Sequence, residues 1–169
     1  MGGIVPRSRA SAGHGPASRW NMVGMLVRTD RRFDLPVPPA ALWVHLAQVE
    51  RYPQWWPWLR RFDGRALAAE EEWACTVQPP LPYSVSFTVH LDRVEAPVRA
   101  AAHVHGDIEG WAELSVEPAS DGSQVRLVSA LAPSNGHLRL ATRLAGPVVR
   151  FGHDWVVGTA VRQFAARAL

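Results

Sequence analysis

Apolar and polar residues alternate with a period of two between about Arg60 and Ala132, which predicts β-strands separated by turns. One side of the pattern is apolar and the other polar, as in an antiparallel sheet with one solvated face. The predicted strand segments are Phe62 to Ala68, Trp73 to Val77, Val85 to Leu91, Ala100 to Val104, Ile108 to Val116 and Val125 to Leu131. The turns are marked by Pro79–Pro82, Ala96-Pro97, Gly106-Asp107 and Pro118–Gly122.

The segment before these strands predicts a strand from Leu26 to Leu35 and then a helix opened by Val37-Pro38-Pro39. The stretch from Tyr52 to Leu59 is rich in aromatic residues and broken by proline, which favours a short helical turn or a compact loop. Its rings would form either an apolar plug at one end of the core or a lid over a ligand cavity.

The chain from about Leu138 to Leu169 predicts one long helix. Its apolar residues share one face: Val149, Val156, Ala160 and Phe164. Gly152 and Gly158 near that face would let another surface, or a ligand, approach the backbone closely. Because Pro147 disfavours helical geometry at Gly146, a kink is expected there.

This order of elements predicts an α+β fold in which a curved antiparallel sheet of about six or seven strands wraps around a long C-terminal helix. Two short helices follow the first strand. No strand–helix–strand alternation occurs, which disfavours a parallel sheet. The inward residues Ala100, Ala102 and Ser129 are small, which indicates a cavity between the sheet and the helix unless a tryptophan-rich helix fills it.

Composition changes this prediction little. Residues 1–24 lack apolar periodicity and predict a disordered extension, followed by a single domain over residues 25–169. The net charge of +3 is matched by Arg7, Arg9 and Arg19 in that extension, so the remainder is neutral and no nucleic-acid partner is expected. No apolar run is long enough to span a membrane, and a cytoplasmic protein is expected.

The absence of lysine excludes Schiff-base chemistry, and the single Cys75 excludes a disulfide framework and a multi-cysteine metal site. No nucleophile elbow and no dinucleotide-binding fingerprint occurs. No catalytic residue, metal or cofactor is therefore assigned, and Tyr83 is noted as a polar group at one end of a cavity. The oligomeric state is left open.

Histidines are the candidate chemical groups. His90, His103 and His105 would meet on neighbouring strands, but the alternation places them on the solvent side, which favours surface histidines over a metal site. His153 either reaches the cavity mouth as an acid or base, or hydrogen-bonds a strand backbone and fixes the helix. The second interpretation is preferred, and Asp154 is expected to face an arginine or solvent.

Several stretches together resemble the START-like (SRPBCC) superfamily, whose members have a helix-grip fold. These stretches are Val37-Pro38-Pro39-Ala40-Ala41-Leu42-Trp43, Tyr52-Pro53-Gln54-Trp55-Trp56-Pro57, Gly106-Asp107-Ile108-Glu109-Gly110, Asp121-Gly122-Ser123-Gln124-Val125 and His153-Asp154-Trp155-Val156-Val157. The last stretch resembles the polyketide cyclase/dehydratase-like branch. The resemblance covers about residues 26–169.

The resemblance implies a cavity between sheet and helix that binds a small hydrophobic or aromatic molecule, such as a lipid or a polyketide. The residues expected to contact the ligand are Trp55, Trp56, Trp73, Phe87, Leu114, His153, Val156 and Ala160. One alternative is a polyketide cyclase or dehydratase acting in the same cavity, so enzymatic activity is left open. The other is a stress or partner-binding module with a filled core.

Overall fold

The computed structural model describes residues 26–134, 136 and 146–169, with side chains in the last range described from Gly152 onward. The first elements are β1 (Val27–Leu35), α1 (Pro39–Leu46), a 3₁₀ turn (Val49–Arg51) and α2 (Tyr52–Trp55). Six strands follow: β2 (Leu59–Asp63), β3 (Glu72–Val77), β4 (Val85–Glu95), β5 (Arg99–Gly106), β6 (Ile108–Ala119) and β7 (Gly122–Pro133). A helix, α3 (Gly146–Arg167), comes last.

The seven strands form one curled sheet in the order β1-β7-β6-β5-β4-β3-β2, and all neighbours are antiparallel. Strands β2 to β7 form a meander, and β1 closes the far edge against β7. Two short helices follow β1 and one long helix ends the chain. The predicted α+β fold, with a curved antiparallel sheet and a C-terminal helix, is confirmed.

The two faces of the sheet differ as the alternation predicts. On β5, Ala100, Ala102 and Val104 are buried on the concave face, whereas His103 and His105 are exposed on the convex face. Curvature is helped at Gly110, where φ is +146° and an added Cβ would collide with the carbonyl of Ala130 on β7. The concave face therefore supplies the core.

The strand predicted from Phe62 to Ala68 is wrong in its bounds, because β2 ends at Asp63. The chain from Gly64 onward lies against the indole of Trp73, and a Cβ on Gly64 would come within 2.5 Å of that ring. The Trp73 Nε1–H donates to the carbonyl of Ala66 at 3.0 Å. The Ala66 carbonyl therefore accepts a side-chain hydrogen bond in place of a hydrogen bond from a neighbouring strand.

The C-terminal helix is described from Gly146 to Arg167. The part of the predicted helix before Gly146, and with it the test of a kink, lies outside the described residues. The predicted extension over residues 1–24 lies outside them as well. No helix within residues 26–134 and 146–169 has both the length and the hydropathy of a membrane-spanning helix.

Candidate functional site: an apolar cavity between sheet and helix

A cavity of about 420 Å³ lies between the concave face of the sheet and α3. Its volume falls within the range of small-molecule sites. The sheet contributes apolar side chains from every strand, and α3 contributes Val156, Val157, Ala160, Val161 and Phe164. Among the small inward residues, Ala100 and Ala102 lie on the wall, as does Ala112. Small side chains on neighbouring strands leave the space that larger ones would fill.

Six of the eight residues expected to contact a ligand lie together on this wall: Trp56, Trp73, Phe87, Leu114, Val156 and Ala160. They come from the segment after α1, from three strands and from α3. The hydrophobic periodicity of the strands and of α3 therefore placed five of the six, all but Trp56, around the same space. Whether they contact a ligand stays a prediction.

Trp55 and His153, the other two residues, lie outside the wall. Trp55 is 2% exposed and packs behind it, with its ring 5.3 Å from that of Phe164. The guanidinium of Arg51 lies 5.6 Å from the Trp55 ring centroid. The Nε1–H of Trp55 has no hydrogen-bond partner among the described residues. Trp55 thus supports the aromatic segment, and Trp56 presents its ring to the cavity.

His153 connects α3 to β1. Its Nε2 lies 2.6 Å from the Oγ1 of Thr29, which is buried on the concave face. Next to it, Asp154 forms an ion pair with Arg31 at 3.1 Å. Burial lowers the pKa of His153, with Arg31 acting in the same direction and Asp154 opposing it. The expected helix-fixing contact is present, but its partner is a strand side chain rather than the strand backbone. The expected pairing of Asp154 with an arginine is confirmed.

Two tryptophans fix the other end of α3. The Nε1–H of Trp56 donates to the carbonyl of Ala160 at 2.9 Å, and that of Trp58 donates to the Oε1 of Gln163 at 3.0 Å. Arg167 donates to the carbonyl of Trp55 at 2.8 Å. The aromatic segment after α1 therefore closes one end of the core, as one of the two interpretations expected, and Trp56 and Trp58 also line the cavity. The other interpretation, a lid over a ligand, stays a prediction.

The connection between β3 and β4 crosses α3 at Gly152. A Cβ on Gly152 would lie 3.0 Å from Leu81 Cδ1 and 3.2 Å from the Tyr83 hydroxyl, which is tighter than ordinary packing. The small residue thus lets another surface approach the helix, as expected. Tyr83 lies outside the cavity wall, and burial raises the pKa of its hydroxyl.

The described wall contains two ionisable side chains, Tyr52 and Cys75. Burial, reinforced by Glu50, raises the pKa of Tyr52, whose hydroxyl donates to the carbonyl of Leu46 at 2.6 Å. Burial raises the pKa of the Cys75 thiol to about 12. Both groups are therefore protonated and uncharged at neutral pH.

Sequence reasoning did not assign Tyr52, Trp58, Phe62 or Cys75 to the site. The alternation of Trp73, Cys75 and Val77 contained the signal for Cys75, since all three face inward. No such signal existed for Trp58, because the proline-broken segment around it has no regular period.

The surface histidines form a separate cluster on the convex face. His90 and His103 are directly opposite each other on β4 and β5, as expected. His103 Nδ1 lies 2.6 Å from Asp92, and His90 lies 3.7 Å from Glu72. No group of three metal-ligating side chains is arranged to hold an ion in the described part of the chain. The preferred interpretation of surface histidines fits this arrangement.

Solved structures share this architecture. A START superfamily protein from Mycobacterium smegmatis superposes with a TM-score of 0.62 at 11% identity, covering 85% of this chain and 96% of its own. The chain has a START-like fold. The protein TTHA0849 from Thermus thermophilus gives 0.62 at 15% identity, covering 85% and 99%, and Ara h 8.0201 gives 0.52 at 12%, covering 79% and 99%. No protein-family model and no curated protein matches the sequence.

Proposed function

We propose that this protein binds a small hydrophobic or aromatic molecule in the cavity between the sheet and α3. The observation that supports this most directly is the cavity itself, which has a volume of about 420 Å³ and an almost wholly apolar wall. Empty apolar volume of this size is costly, because the side chains around it lose contacts that a filled core would provide. A ligand that restores those contacts binds through apolar burial, at about 25 cal/mol per Å² before the costs of association.

The wall residues that would make these contacts include Trp56, Trp73, Phe87 and Leu114. Three are aromatic, and aromatic rings offer large contact area with few rotatable bonds. His153 would act on the ligand only through α3, since it is bonded to Thr29. A cavity of about 420 Å³ has room for a small molecule.

The sequence left two alternatives, a module with a filled core and a polyketide cyclase or dehydratase. A filled core does not fit the space beside Ala100 and Ala102. A polyketide cyclase or dehydratase needs a group that moves a proton, and the raised pKa values of the ionisable groups of the described wall, Tyr52 and Cys75, keep both from acting as general bases at neutral pH. No observation on the described residues favours catalysis over binding.

The test uses N-phenyl-1-naphthylamine, a neutral probe that becomes fluorescent in apolar surroundings. We expect saturable binding, accompanied by quenching of tryptophan fluorescence. The variant Leu114→Trp places a larger side chain in the cavity, and it should weaken the affinity for the probe at least tenfold. Its neighbour in sequence, Ser115, faces away from the wall on the same strand. Ser115→Trp is therefore the matched control and should bind like the unmodified protein. Equal binding by both variants would place the probe elsewhere and refute the proposal.

A further inference from the structure

The polar side chains on the cavity wall share one property: their hydrogens are already donated to the protein. Trp56 donates to Ala160, and Trp58 donates to Gln163. The remaining donors of the described wall are bonded in the same way, Trp73 to the Ala66 carbonyl, Tyr52 to the Leu46 carbonyl and Cys75 to the Trp73 carbonyl. All other described wall residues are Phe, Leu, Val or Ala, which have no side-chain donor.

The backbone of the five inner strands behind the wall is engaged as well. Strands β3 to β7 are each paired with a neighbour on both sides, so their amide hydrogens bond across the sheet. Outside the wall, Thr29 and His153 are bonded to each other. The buried side-chain nitrogens without a partner among the described residues, on His45, Trp55 and Arg99, also lie outside the wall. A carbonyl or carboxylate oxygen inside the cavity would therefore meet no free side-chain donor on the described wall.

We infer that the part of the ligand enclosed by this cavity is a hydrocarbon group without hydrogen-bond acceptors, because Trp56, Trp58, Trp73, Tyr52 and Cys75 leave no donor for one. The inference rests on the proposed binding function and narrows its ligand class. A ligand hydroxyl is less strictly excluded, because it can donate to the lone pairs of the Tyr52 oxygen or the Cys75 sulfur. Alkyl chains and unsubstituted rings fit the wall, and keto-rich chains do not.

The physical reason is desolvation. A ketone gives up its hydrogen bonds with water on entering the cavity and gains none in return. The cost measured for such unpaired groups in proteins corresponds to roughly a 5- to 150-fold loss of affinity. A hydrocarbon of the same shape loses nothing of this kind.

The experiment compares 2-ethylnaphthalene with 2-acetylnaphthalene, which differ by a methylene group in place of a carbonyl. Titration calorimetry or tryptophan quenching on the full chain should show 2-ethylnaphthalene binding at least fivefold tighter. Equal affinity, or tighter binding of the ketone, would overturn the inference and leave the proposed function intact. Failure of both compounds to bind would remove the proposed function, and the inference with it.

A second measurement places a donor on the wall. Val89 lies on the wall between Trp73 and Val104 on the adjoining strands. Val89→Thr supplies a hydroxyl there with little change of shape. It should lower the ratio of the affinity for 2-ethylnaphthalene to that for 2-acetylnaphthalene at least threefold. Val128 points to the convex face opposite Glu113, so Val128→Thr is the matched control and should leave the ratio unchanged. The same change of ratio in both variants would show that the hydroxyl does not act inside the cavity, and would contradict the inference.

Discussion

Ala102 offers a direct test of whether the space between the sheet and α3 is a void. It is 8% exposed, lies on the cavity wall at the centre of the sheet, and has Leu91 and Ala112 opposite it on the two adjoining strands. Ala102→Leu adds three carbon atoms to the wall. In a filled core this change would overpack and destabilise the protein by about 1–3 kcal/mol. If the space is a void, the added leucine carbons fill it, and the same change stabilises the protein.

The size of the gain follows from the added surface. Three buried carbons at about 0.8 kcal/mol each contribute about 2.4 kcal/mol, and ordering the leucine side chain costs about 0.5–1 kcal/mol. We therefore expect Ala102→Leu to raise the free energy of unfolding by about 1.4–1.9 kcal/mol. For a chain of 169 residues this corresponds to an increase in Tm of about 3–8 °C. The same variant should bind N-phenyl-1-naphthylamine more weakly, because leucine occupies part of the site.

The control is the next residue. Ala101 lies on the same strand but faces the convex side, opposite Glu113. Ala101→Leu makes the same change in strand propensity without filling the cavity, so it should leave stability within about 0.5 kcal/mol. Urea unfolding of both variants gives the comparison. If Ala102→Leu is destabilised relative to Ala101→Leu, the cavity does not exist in solution at that position.

Two further predictions concern groups whose pKa burial shifts. Because the pKa of His153 is lowered in the folded protein, the unfolded chain binds the extra proton first, so stability should fall as pH decreases below about 6.5, by at most about 1.4 kcal/mol per pH unit. His153→Gln should lose this component in pH-dependent unfolding, and an unchanged slope would exclude His153 as its source. Because the pKa of Cys75 is about 12, iodoacetamide at pH 8 should label it on the order of 10³-fold more slowly than an unperturbed thiol. Rapid labelling of the folded protein, followed by mass spectrometry, would show that the wall opens at Cys75.

The fold could be predicted because its strands obey a single rule. One face of each strand is buried, so alternation gives both the strand and the direction of its side chains, as for Ala100, Ala102 and Val104. The order of elements then leaves few ways to cover that face. The end of a strand was less predictable where a side chain takes a backbone hydrogen bond, as the Trp73 indole does at the Ala66 carbonyl after β2.

The site was harder to predict where periodicity ends. Trp55 and Trp56 are neighbours at the end of a helix of four residues, and nothing in a proline-broken segment tells which ring faces inward. His153 is a different case. It lies near the helix face of Ala160, but seven residues before it, which is about 10 Å along the axis. That distance carries His153 past the cavity to Thr29 on β1. Periodicity gives the face of a helix and not the axial position at which it crosses the sheet.

The position of α3 and the chemistry of the cavity depend on the same contacts. Trp56 and Trp58 line the cavity with their rings and hold the helix with their N–H groups, through Ala160 and Gln163. A change that frees either N–H for a ligand also releases a contact that positions the helix. Removing the N–H with phenylalanine makes the wall no more polar and still loosens the helix. The apolar character of the wall is therefore a consequence of how the sheet grips its helix, and the two cannot be altered independently at these tryptophans.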